Sequence, residues 1–183
     1  MNTVDAISPA EIGMVTMLLM KRYGRLYTDI WKVGLNLSLR ISDLLSLQYE
    51  QFDLAGRSLQ LIEKKTGKPK AIRLNPVALD IIQRRRLERP GDVWLFQVDC
   101  NRARNKPISR ISVSKAFKDL GDTLGLKINT HSMRKSRGKA MYDAGVPIEK
   151  ISKVLNHSDT GVTLRYLGIT HADVMQTYDD FPL

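Results

Sequence analysis

One short stretch of this chain breaks an otherwise helical rhythm, and it limits the folds available. From Ser58 to Leu74 the apolar residues stop recurring at helical spacing. They form two runs, Ser58-Leu59-Gln60-Leu61-Ile62 and Lys70-Ala71-Ile72-Arg73-Leu74, on either side of Lys65-Thr66-Gly67-Lys68. Two β-prone runs around a glycine-containing turn predict a β-hairpin. Nearly everything else reads as helix. Ser8-Pro9-Ala10-Glu11 supplies a cap, a proline at the first helical position and a capping-box acid, so a helix is expected from there to about Tyr23. Further helices are expected over Leu26–Leu35, Ile41–Leu47, Pro76–Leu87, Ser109–Gly125, His131–Ala144, Pro147–Leu155, Thr160–Leu167 and His171–Tyr178. Arg89-Pro90-Gly91-Asp92 reads as a turn, Val93–Phe96 as a short buried segment and Asn101–Pro107 as a basic loop. The fold class is therefore mainly α with one small antiparallel β-hairpin or sheet. At 183 residues, with no low-complexity stretch, repeat or obvious linker, the chain is expected to form a single domain.

Charge narrows the partner. Lys and Arg number 29 against 19 Asp and Glu, a net charge of +10. The excess is segregated. Asn101 to Lys139 holds eleven bases against Asp119 and Asp122, whereas Asp143 to Leu183 holds three bases and six acids. A basic segment of this kind suits a polyanion, and nucleic acid is the commonest one. The basic segment includes Arg102, Arg104, Lys106 and Arg110, which read as backbone contacts to DNA, as do Lys135, Arg137 and Lys139. The triplet Arg84-Arg85-Arg86 reads as structural. The lone cysteine, Cys100, rules out an internal disulfide and a cysteine-rich zinc site. No apolar run approaches the length of a membrane span, and Met1–Ser8 has no secretory pattern, so a cytoplasmic protein is expected.

The chemistry-bearing residues stand in one order along the chain. Arg40 is followed three residues on by Asp43, within Leu39-Arg40-Ile41-Ser42-Asp43. Lys65 lies in the hairpin turn. His131-Ser132-Met133-Arg134 forms an H-x-x-R element, His157 follows Arg134 by 23 residues, and Tyr166 follows His157 by nine. Each element alone is weak; the ordered set is not. It resembles the catalytic domain of the tyrosine recombinases, the family of lambda integrase and the Xer proteins, and the resemblance covers nearly the full chain.

The resemblance implies transesterification at a DNA phosphodiester. Tyr166 is implied as the nucleophile that forms a 3′-phosphotyrosyl link and frees a 5′-hydroxyl. Arg40 and Arg134 are implied as phosphate clamps, a role that suits a permanently charged planar fork. His157 is implied as a further phosphate donor, Lys65 as the general acid on the leaving oxygen and His131 as an aid to proton transfer near Tyr166. Asp43 is implied as a residue that orients the site from behind. Lys64, Lys68 and Lys70 share the hairpin and remain alternatives to Lys65, which is favoured because short-hairpin members carry the lysine directly before Thr-Gly. Neither metal nor cofactor is implied. The implied partners are double-stranded recombination sites, other copies of the chain in a tetramer working through a Holliday junction, and accessory DNA-bending proteins; the segment His171–Tyr178 docks on a neighbour. Tyr142 reads as buried, and His171 as a cap or surface residue.

Departures from the family pattern are few. Asn156 replaces the usual glycine before the second histidine, and asparagine tolerates left-handed backbone, so the turn is expected to survive. Ser38 stands two before Arg40, where glycine is common, and Lys135 follows Arg134, where histidine is common. The N-terminal core-binding domain of most members is not seen before Ser8. The prefix Met1–Ile7 is unlike a linker remnant, which favours a naturally short protein resembling the fimbrial-switch invertases. Two rivals share the fold: a catalytically idle DNA-binding regulator, and a type IB topoisomerase that relaxes DNA without a second duplex.

Overall fold

A computed structural model describes residues 6–100 and 103–180. The elements run α1 (Pro9–Tyr23), α2 (Arg25–Leu37), α3 (Ile41–Leu45), β1 (Phe52–Asp53), β2 (Ser58–Ile62), β3 (Pro69–Arg73), α4 (Pro76–Glu88), β4 (Gln97–Cys100), β5 (Ala103–Pro107), α5 (Arg110–Leu124), α6 (Ser132–Asp143), α7 (Ile148–Leu155), α8 (Thr160–Leu167) and α9 (His171–Asp180). The fold is mainly helical, as expected, but it carries two small antiparallel sheets where one was expected. Ser8 caps α1 in a complete capping box with Glu11.

The predicted hairpin is β2 and β3, with Leu59 opposite Ile72 and Leu61 opposite Lys70. β1 adds a third strand, pairing Phe52 with Leu59. A second hairpin corrects the sequence reading. Residues 103–107, expected as loop, form β5 and pair with β4, Val98 against Lys106 and Gln97 against Pro107. Its residues Arg104, Asn105 and Lys106 are all exposed, so no apolar alternation marks the strand. Arg102 falls outside the described residues. Tyr142, expected inside, is 40% exposed, and Lys139 lies over its ring.

Helix α2 is central and packs against α1, α4 and α6. Its Trp31 is fully buried and meets Phe117 of α5 edge to face, ring centroids 5.4 Å apart. The arginine triplet of α4 serves this core. Arg84 and Arg85 both bind the buried Asp29 of α2, Arg85 also donates to the Leu95 carbonyl, and Arg86 covers the Tyr49 ring. A smaller cluster, Ile151, Leu155 and Leu167, joins α7 and α8. Gly138 lets α6 lie on this cluster, because a Cβ there would meet Leu155 and Leu167 at 3.2 and 3.3 Å. These two clusters therefore hold α3, α6, α7 and α8 together at one place. Among the described residues no helix is long and apolar enough to cross a membrane, and no group of His, Cys, Asp and Glu is placed to hold a metal ion.

Candidate active site

Arg40 is the N-cap of α3, in extended conformation, with Ile41 and Leu44 anchoring the helix in the core. Its guanidinium donates to the Glu63 carboxylate at 2.8 Å and to the Asn156 carbonyl at 3.4 Å. Arg134 rises from the first turn of α6 and is almost fully buried. Its Nη1 donates to the Ser38 carbonyl at 2.6 Å, while Nη2 is buried with no hydrogen-bond partner. Ser38 caps α2 in the left-handed region, with φ 53°. Arg134 therefore braces the turn that leads into Arg40. One guanidinium holds the backbone that carries the other.

The corner between α7 and α8 supplies the next two groups. Asn156 ends α7 at φ 47°, so asparagine takes the left-handed turn usually made by glycine. His157 follows, its Nδ1 at 2.9 Å from the Thr163 hydroxyl. Burial, then the charges of Arg134 and Arg40, lowers the His157 pKa to about 4. The ring is thus neutral near pH 7. The Nδ1–Thr163 hydrogen bond fixes the ring and leaves Nε2 as its other polar atom.

Tyr166, on α8, packs against the small apolar cluster and meets the His157 ring edge to face at 5.1 Å. Its hydroxyl donates to the His131 carbonyl at 3.4 Å. Burial pushes its pKa up to about 12, against the opposing pull of Arg134 and Arg40. Near neutral pH the side chain is held as a phenol. His131 caps α6 and is solvent-exposed as a residue, yet crowding of its ring, then the charges of Arg110 and Arg134, lowers its pKa. Asp43 is buried behind the site and accepts from the Lys64 backbone N–H at 3.0 Å, fastening the hairpin to α3.

The structure brings Arg40, Arg134, His157 and Tyr166 into one place and sets the two hairpin lysines apart. Lys65 stands exposed on the turn, near enough for its charge to act on His131. Lys70 points inward from β3. Its Nζ donates to the Val154 carbonyl at 2.8 Å and lies 3.8 Å from Glu63, and burial lowers its pKa. The sequence reading kept Lys70 only as an alternative to Lys65 and gave Glu63 no part in the site. For Lys70 a signal existed: it shares strand parity with the inward Ile72. Glu63 is fully buried beneath Arg40; it continues the inward alternation of Leu59 and Leu61, a signal hidden by its charge among the hairpin lysines.

Of the expected DNA contacts, Arg104, Lys106 and Arg110 are exposed. Lys135 is buried, only 9% exposed, because this helix face turns into the core beside Met133 and Ser136; the expected open phosphate contact does not fit that placement. Lys139 pairs with Asp143 one turn on. Arg137 lines a groove with Lys68, Arg73 and Lys153.

The His157 arrangement predicts a pH dependence of stability. The unfolded histidine titrates near 6.5 and the folded one near 4, so the unfolded chain binds more protons between these values. The stability contribution is fully present above about pH 6.5 and is lost as pH falls toward 4, by at most about 3 kcal/mol. Thermal melts of the wild type and His157→Gln at pH 7 and 4.5 check this. The wild type should lose more stability than the variant, and parallel losses would refute the assignment.

This arrangement of two arginines, histidine and tyrosine on a mainly helical frame is that of a tyrosine recombinase catalytic domain. The sequence model of the Phage integrase family matches residues 25–173. The probable integrase/recombinase YoeC of Bacillus subtilis is 31% identical over 184 residues, 99% of this chain and 98% of that protein. Tyrosine recombinase XerA of Pyrococcus furiosus is 26% identical over 132 residues, which span 72% of this chain and 46% of XerA. A solved Tn1549 transposon integrase superposes with a TM-score of 0.77 at 17% identity, covering 99% of this chain and 67% of that one, a likeness of fold. The chain belongs to the phage integrase family. It spans nearly all of YoeC but about half of XerA and of a phage relative from Acholeplasma phage L2.

Proposed function

We propose that this chain cuts and rejoins DNA at specific sites through a 3′-phosphotyrosine intermediate. The observation that carries the reading is the meeting of Arg40, Arg134, His157 and Tyr166 at one buried corner, reached from four separate elements. The scissile phosphate sits between the arginines. Tyr166 attacks phosphorus, the Tyr–O–P bond forms, and the bond to the 5′-oxygen breaks. Lys65 protonates that leaving oxygen, and His131 assists removal of the phenolic proton. Arg40, Arg134 and the Nε2–H of His157 stabilise charge on the non-bridging oxygens. Asp43 holds the hairpin that carries Lys65. The phosphodiester energy is kept in the tyrosyl link, so religation needs no external energy source.

Double-stranded DNA is the partner. Solved relatives of the same fold carry it: the Tn1549 integrase with circular intermediate DNA, XerH with its difH substrate and a lambda integrase dimer on a core site. Arg104, Lys106 and Arg110 contact the backbone beside the site, which makes affinity strongly salt-dependent. Four copies act on two duplexes in the cytoplasm, each offering α9 to a neighbour, with accessory bending proteins shaping the DNA. Every α9 side chain described is exposed, as an arm awaiting a partner requires.

The target sequence is found first. A pool of randomised duplexes, nicked at the centre, is incubated with the protein, and covalent protein–DNA adducts are recovered and sequenced. Two copies of the recovered site are then placed on one supercoiled plasmid. Inversion or deletion between the sites is expected. Relaxation without exchange would make the chain a topoisomerase, and binding without any adduct would make it an idle regulator.

A further inference from the structure

The mechanism leaves unused a buried carboxylate that Arg40 itself binds. Glu63 has no solvent exposure, yet it carries a carboxylate at the base of the hairpin turn. Its Oε2 is reached from three elements: by Arg40 at the start of α3 at 2.8 Å, by the Thr66 hydroxyl of the turn at 3.0 Å, and by the side-chain amide of Asn156 at the end of α7. Its Oε1 accepts no hydrogen bond, with Lys70 Nζ at 3.8 Å. Burying a carboxylate is costly unless it stays paired and hydrogen-bonded. The Asn156 and Thr66 hydrogen bonds and the Arg40 charge outweigh the effect of burial and keep the Glu63 pKa below its usual value.

The three ties converge on the moving parts of the reaction. Glu63 shares its turn with Lys65, and its carbonyl accepts from Gly67 N–H at 2.8 Å. Asn156 immediately precedes His157, and its own carbonyl accepts from Arg40. A second bond, Lys70 Nζ to the Val154 carbonyl, joins the same strand to the same helix end. An ordinary glycine at position 156 would take the turn but could not reach Glu63. The asparagine side chain adds a link that the glycine of the family pattern lacks.

We propose that Glu63, acting through Asn156, is a positioning residue that sets Arg40, the His157 corner and the Lys65 hairpin in one register for cleavage. It also separates positive charge. Arg40, Arg134 and Lys70 lie close enough to repel one another, and Glu63 is the buried anion that Arg40 and Lys70 both pair with, Asp43 adding a second negative charge behind them. Neither Glu63 nor Asn156 touches the reacting atoms. Their loss lowers the rate at saturating DNA and leaves affinity intact or raised, since removing Glu63 adds net positive charge. This inference rests on the strand-transfer reading above.

The test is single-turnover cleavage of the recovered nicked substrate by the full chain, with affinity measured separately. Glu63→Gln keeps the shape and removes the charge; its cleavage rate at saturating DNA should fall about 10²-fold, the usual loss for misplaced reacting groups, with Kd unchanged or lower. Asn156→Gly keeps the left-handed turn and removes one bond to the carboxylate; its rate should fall about tenfold. The double variant should be no slower than Glu63→Gln alone, because both act through one link. Wild-type rates in folded Glu63→Gln, or multiplied losses in the double variant, would overturn the positioning role while wild-type cleavage stands. If Glu63→Gln does not fold, Asn156→Gly decides by the same rate criterion. A wild type that forms no adduct overturns the strand-transfer reading and this role with it.

Discussion

Tyr166→Phe should form no covalent adduct with a nicked substrate, a loss on the order of 10⁶ in cleavage, as for other deleted nucleophiles. The variant removes one oxygen and leaves the ring. That ring packs on the Ile151, Leu155 and Leu167 cluster and against His157, so its place in α8 is secured by apolar contact. The hydroxyl makes one long hydrogen bond, 3.4 Å to the His131 carbonyl, whose loss should cost under about 1 kcal/mol. DNA binding should stay within a few-fold of wild type, because the proposed phosphate holders, Arg40, Arg134 and His157, are all retained. Gel analysis of phenol-extracted reactions gives the adduct, and thermal melting confirms the fold. An undiminished adduct would move the nucleophile elsewhere. Tyr178 is the exposed alternative, but Asp179 and Asp180 beside it repel a phosphate.

Rate and pH are connected through the same residue. Burial holds the phenol near a pKa of 12, so attack depends on proton removal in the assembled site. Arg134 and Arg40 already pull in the favourable direction. In the proposed mechanism a phosphate on the arginines screens that pull, and proton transfer by His131 is the route to the phenolate. The lowered His131 pKa keeps its ring neutral near pH 7, the form that can accept a proton.

Much of this site was legible in the sequence because its residues stand in the order that resembles the tyrosine recombinase pattern, and the elements that carry them were readable from periodicity. Arg40 and His131 sit at helix caps, Arg134 is one turn into α6, and Tyr166 is on the helix after the His157 corner. The Lys65 hairpin was legible from its change of period. The features missed are tertiary. β5 pairs with β4 through its backbone and through polar side chains such as Gln97 and Asn105, and shows no apolar alternation. Lys135 sits one residue past Arg134, and only the packing of α6 decides that both face inward. Glu63 reads as one more charge in a basic hairpin until Arg40 and Asn156 arrive from 23 residues before it and 93 after.

Arg134→Lys should keep the charge and lose the function. The guanidinium performs two tasks at once. Nη1 holds the Ser38 carbonyl at 2.6 Å, and Nη2, buried and unpartnered, is the atom left for the phosphate. An ammonium offers one nitrogen on a flexible stem and cannot span both positions. If it takes the carbonyl, the transition state loses a donor; if it takes the phosphate, the left-handed Ser38 turn loses its brace and Arg40 shifts with it. Either way cleavage should fall about 10²–10³-fold, the cost of one such donor. Stability should drop by about 1–3 kcal/mol where the buried carbonyl is left unpaired. The salt dependence of DNA binding should not change, since the count of positive charges is the same. Cleavage within threefold of wild type at saturating DNA would show that charge alone suffices at this position. A slow variant with an unchanged salt slope would place the requirement in the fork geometry, which is why an arginine and not a lysine stands at the start of α6.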